Sequence, residues 1–130
     1  KKKTANLQEV NNMIEFESCS SDELKSLLRE NSDLQYEIEQ DNKRVNSYEE
    51  QCMQSLKAER NALESLSVGW TGEDAEKYIS EAIEENEMFR KQYIQAFSAE
   101  RDRLLNKQKS LQAEEQYILE TIANRSDEEN

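Results

Sequence analysis

The chain contains no proline, and its two glycines, Gly69 and Gly72, stand three residues apart near the middle. Everywhere else a helix could run without meeting a residue that breaks it, so the backbone has one natural place to turn. The stretch holding both glycines is Ser67-Val68-Gly69-Trp70-Thr71-Gly72-Glu73-Asp74-Ala75-Glu76-Lys77-Tyr78, and it also carries the only tryptophan. Long helices to either side of one sharp break are what this distribution predicts. Disorder is the rival for a chain with 35% charged residues and a net charge of −12, and periodicity decides between them.

On the N-terminal side of the break, Leu24, Leu27, Leu28, Leu34, Ile38, Val45, Tyr48, Cys52, Leu56, Leu63 and Leu66 step by three, four or their sums. Within that series Leu34, Ile38, Asp41, Val45, Tyr48 and Cys52 keep heptad spacing, with Asn31 and Asp41 as polar residues on the stripe. Ser20 followed by Glu23 offers a capping box. The spacing predicts a first helix over 21–67. Beyond the glycines, Ala75, Ile79, Ala82, Asn86, Phe89, Tyr93, Ala96 and Glu100 form a second stripe, which drifts onto Phe97, Leu104, Leu111, Ile118 and Ile122. A second helix is expected over 72–123. A register held this long is incompatible with a disordered chain.

The expected organisation is a flexible lead over 1–20, a helical hairpin over 21–124 with its turn at 67–72, and an acidic tail over 125–130. Met13 is a candidate start, which would make residues 1–12 an expression remnant or a retained tail. In the turn, Gly69 is expected to take the left-handed conformation that ends the first helix. Thr71 is expected to cap the second helix with Asp74 as its partner, and Trp70 to staple onto Ala75. Gly72 would lack a side chain where the returning helix passes close. The fold class is therefore all-α: two long antiparallel helices. With 35% hydrophobic residues such a pair buries little, and ordering each residue costs about 1–2 kcal/mol. A partner chain completing a four-helix-type bundle would supply the missing burial. The expected interface residues are Leu34, Ile38, Val45, Tyr48, Phe89, Tyr93, Phe97, Leu104, Leu111 and Ile118. Asn31, Asp41, Asn86 and Glu100, polar on an apolar seam, would fix register or partner choice.

The chemistry of the chain points away from catalysis. There is no histidine, so imidazole acid–base work and histidine-based metal sites are unavailable. No phosphate-binding glycine loop or calcium loop appears, and no cofactor or metal is expected. Adjacent acids such as Glu49-Glu50, Glu84-Glu85 and Glu114-Glu115 diverge on a helix and read as solvated faces. The negative charge argues against nucleic-acid and anionic-membrane partners, and no apolar run reaches the roughly 20 residues that span a bilayer. A helix over 21–67 places Cys19 and Cys52 about 45 Å apart, beyond the ~7 Å a disulfide tolerates. Cys52 reads as a small buried hydrophobe and Cys19 as a thiol in the lead.

Trp70-Thr71-Gly72 at the sole break between two long helices, followed by Ala75 and Tyr78, resembles the Trp-x-Gly (WXG) family of type VII secretion proteins. The match covers residues 21–124 in architecture and the turn in residue identity. The resemblance implies a small helical hairpin, folded and dimeric, exported without a cleaved signal peptide by a membrane ATPase and its channel. It also implies that Trp70 and Gly72 form half of a composite export signal. The other half, Tyr-x-x-x-Asp/Glu, is missing: Tyr117-Ile118-Leu119-Glu120 is one spacer short. That departure fits a relative whose partner completes the signal, such as the small hairpins that accompany LXG-domain toxins. The function expected is thus non-catalytic targeting of an LXG-type effector, through the toxin's N-terminal helices or another WXG-like hairpin. The protein would be cytoplasmic before export, then secreted or at the cell surface. The alternatives are a secreted homodimer acting alone and a cytosolic coiled-coil adaptor.

Overall fold

The computed structural model describes residues 16–129. Helix α1 spans Ser21–Gly69 and helix α2 spans Glu73–Glu129, and the described residues contain no strand. The protein is all-α, a helical hairpin. Its start is capped as the sequence predicts: the Glu23 amide donates to the Ser20 hydroxyl at 3.1 Å, and the Leu24 amide to the Ser20 carbonyl at 2.9 Å. The helix ends later than expected, at Gly69, and α2 passes residue 123 to reach Glu129. Ser126-Asp127-Glu128-Glu129 contains no breaker, so the acidic tail continues the helix instead of leaving it.

The bend itself is three residues, Trp70–Gly72, and here the structure departs from the sequence expectations. Gly69 is helical, and the following Trp70 amide still donates to the Leu66 carbonyl at 2.9 Å. The left-handed residue is Gly72, at φ +117°. Gly72 also provides the cap, its carbonyl accepting from the Glu76 amide at 2.9 Å, so the cap lies one residue beyond Thr71. Trp70 packs on Tyr78, with ring centroids 5.5 Å apart. Nothing lies within 4 Å of a Cβ added at Gly72, so its φ, and not a close approach, requires glycine there.

The chain divides into two compact units, one joining α1 up to Gln40 with α2 from Leu105, the other comprising Asp41–Leu104. In the first, the terminal unit, Leu24, Ile38, Leu111 and Ile118 are buried. Asn31 is buried with them, donating to the Leu111 carbonyl at 2.8 Å and accepting from the Gln35 amide at 2.6 Å; Gln35 also donates to Glu115. Arg125 donates to the Glu17 carbonyl at 3.0 Å. As partners climb on one helix they descend on the other, from 17 with 125 to 31 with 111, so the pairing is antiparallel. Phe16 is buried against Leu24 and Ile118, and Cys19 packs on that cluster. Phe16 and Cys19 of the expected flexible lead therefore pack on the hairpin core, while Glu17, Ser18 and Ser20 are exposed; the rest of that expectation lies outside the described residues.

In the second, the bend unit, the buried residues are Val45, Ala75, Ile79, Leu104 and Asn86. Asn86 donates to the Leu56 carbonyl at 3.0 Å and to Glu59 at 3.1 Å. Arg101 donates to Asn46 at 3.1 Å and pairs with Glu49 at 2.9 Å. The order is again antiparallel. Each unit thus carries one buried asparagine whose amide reaches a backbone carbonyl of the facing helix. A second lone pair is free on that carbonyl, so the bond costs the helix nothing.

Candidate functional site

The residues expected to meet a partner fall into two sets. Ile38, Val45, Leu104, Leu111 and Ile118 are buried inside the hairpin, where the facing helix already covers them. Leu34, Tyr48, Phe89 and Tyr93 remain exposed, and Phe97 is half-buried. A single facing helix covers one narrow stripe, so one heptad position is enclosed and its neighbour is left on the flank. The ten residues therefore do not form one surface. Asp41, Asn31, Asn86 and Glu100 divide in the same way: both asparagines are buried, while Asp41 pairs with Arg44 at 2.7 Å and Glu100 with Arg103 at 2.6 Å.

The exposed aromatics concentrate in the bend unit. Trp70 is 42% exposed, Tyr78 56%, Tyr93 41% and Tyr48 57%. Around the bend, Trp70, Ile79 and Ile83 line an open depression of ≈ 370 Å³ rimmed by Ser67, Thr71, Glu76 and Glu84. Farther along, Phe89 and Tyr93 stack with ring centroids 6.3 Å apart and planes at 24°. Tyr93 also faces Cys52, Ser55, Gln51 and Leu56 of α1 across a depression of ≈ 330 Å³. Cys52 is therefore half-buried in a groove wall and not the enclosed hydrophobe expected; it and Cys19 form no disulfide.

The electrostatics of the unit are uneven. Arg44, Arg60, Arg90, Arg101 and Arg103 each hold an ion pair with a carboxylate of the same unit. Hydrogen bonding from Arg101 holds the Glu49 carboxyl below the usual carboxylate range, and Arg103 does the same to Glu100. Between Glu73 and Glu87 the only cation is Lys77. Glu73, Asp74 and Glu76 lie in the first turn of α2, where the helix dipole favours acids. Glu81 and Glu85 lie beyond it, four residues apart on one side of the helix. Tyr78, Glu81 and Glu85 were not singled out as interface residues by spacing, although the successive steps of three, four and four residues from Tyr78 through Glu81 and Glu85 to Phe89 run along one side of the helix.

Among the described residues no group of His, Cys, Asp or Glu is placed to hold a metal ion, and no helix is long and apolar enough to cross a membrane. No family model matches the chain, nor does any curated protein or solved structure.

Proposed function

We propose that the protein is a non-catalytic helical partner that binds an effector of a type VII secretion system, of the LXG-toxin kind, and assists its export. The observation that carries this reading is the bend unit's exposed aromatic surface, centred on a tightly built turn with Trp70 at its tip. Aromatic side chains supply large contact area at little entropic cost, and they are favoured anchors of protein interfaces. Trp70 and Gly72 stand at the break between α1 and α2, which supports the Trp-x-Gly reading. Gly72 sets the left-handed corner while Trp70 stays accessible. The absence of histidine, and the pairing of the lowered Glu49 and Glu100 carboxyls with Arg101 and Arg103, support a non-catalytic role. In this reading the partner provides the Tyr-x-x-x-acid half of the signal, and the complex passes from the cytoplasm to the cell surface or medium.

The test is purification of the complex from its own host, with the chain carrying Trp70→Ala alongside. A long helical effector should copurify with both forms, because Trp70 makes one ring contact and its loss leaves the helices intact. The Trp70→Ala form should be retained in the cell. An unchanged secreted fraction overturns the signal role, and a complex without any secretion-related chain overturns the function.

A further inference from the structure

We propose that the flank of the bend unit carrying Tyr48, Tyr78, Phe89 and Tyr93 is the docking surface for one amphipathic helix whose apolar ridge is bordered by lysines or arginines. The inference rests on the reading of the chain as a helical partner and adds the face used and the chemistry it accepts.

The exposed rings recur along one side of the unit. Tyr78 and Phe89 are eleven residues apart, close to three full turns, and Tyr93 follows one turn later. Those positions share one side of α2, and Phe89 and Tyr93 stack there. Tyr93 carries the surface across to α1, where Cys52 and Ser55 form the opposite wall of the groove. Tyr48 lies one turn before Cys52 on α1, and its ring is also exposed. A helix presenting apolar residues at i, i+4 and i+7 matches a groove of this kind.

Charge chooses the occupant. Glu81 and Glu85 border the aromatic run at i,i+4 spacing, where two like charges destabilise a helix. Neither forms an ion pair, while the arginines of the unit are engaged elsewhere. A cationic border on the incoming helix relieves this repulsion and gains charge-assisted contacts. A second copy of the chain is the wrong occupant, because it brings a net charge of −12 and the same uncompensated glutamates to the contact.

The test uses the full chain and three synthetic peptides of about 18 residues, five helical turns. The first has a Leu/Phe ridge with lysine borders, the second the same ridge with glutamate borders, and the third the composition of the first in scrambled order. Binding is read by fluorescence anisotropy of the labelled peptide at low and moderate salt. Sedimentation of the chain alone reads self-association. The lysine-bordered peptide should bind at least about tenfold tighter than either control and weaken with salt. The double variants Phe89→Ser/Tyr93→Ser and Glu81→Lys/Glu85→Lys, checked by circular dichroism for retained helix, should each lose about tenfold or more, as anchor and rim residues do. Equal binding of the scrambled or glutamate-bordered peptide overturns the inference, as does unchanged binding by either variant. Self-association that Phe89→Ser/Tyr93→Ser abolishes assigns the flank to a second copy and overturns it too. A host effector that stays bound to both double variants overturns this surface while leaving the partner role standing. Absence of any helical effector from the host complex overturns the role itself, whatever the peptides do.

Discussion

At Gly72 the backbone φ of +117° lies where an L side chain is strained, while Gly69, three residues earlier, is helical with open space around its Cα. Alanine at Gly72 should lower stability by about 1–2 kcal/mol, since the left-handed region carries that order of penalty for a Cβ. Alanine at Gly69 should be neutral or stabilising by up to about 1 kcal/mol, since it removes glycine's entropy from a helical position. Urea unfolding of the two variants checks both signs. The sequence reading assigned these roles the other way round, because glycine content marks a corner without saying which glycine turns it. A second residue-scale expectation concerns Glu49. Hydrogen bonding from Arg101 lowers its carboxyl in the folded protein, so its contribution is present above the ordinary carboxylate value and disappears as pH falls through the lowered one. A carbon-13 NMR titration should find Glu49 below the usual range, and Arg101→Gln should return it there.

For each helix, spacing showed that a buried stripe exists and where it lies. The seven-residue steps Leu24, Asn31, Ile38 and Val45 on α1, and Leu104, Leu111 and Ile118 on α2, are all buried. What periodicity cannot report is what covers a stripe, and the five seam residues assigned to a partner chain are each covered by the facing helix of the same hairpin. Leu34 and Tyr48, at the other apolar heptad position from Ile38 and Val45, stay exposed for want of a second facing helix. In the terminal unit Phe16, Leu24 and Ile118 form one cluster. Ile118→Ala should therefore cost about 2–5 kcal/mol, the range for truncating a fully enclosed aliphatic side chain, read as a lowered calorimetric midpoint. The candidate surface was legible in part. Trp70, Tyr48, Phe89 and Tyr93 stood out as aromatics in a polar chain. Glu81 and Glu85 did not, because whether a cation of α1 reaches them depends on the facing helix, whose Arg60 pairs with Glu87 instead.

Over the whole molecule, 29 acidic side chains against 17 basic ones make self-repulsion a standing load on the folded state. Raising ionic strength from about 0.01 to 0.15 M shortens the Debye length from about 30 to 8 Å. The thermal midpoint should rise across that change; a fall would show that the exposed ion pairs outweigh the net repulsion. The described contacts between helices, from the Asn31 and Asn86 amides to the Arg101–Glu49 pair, join a residue of α1 to a residue of α2 and need no covalent link between them. Two chains could therefore trade their second helices and satisfy every one of these bonds unchanged. Only the three-residue corner, by keeping both helices of one copy at high effective concentration, favours the closed form over an exchanged dimer. A substitution that lets the helix run straight through Gly72 should therefore convert intramolecular pairing into exchange between copies, seen as a dimer in sedimentation.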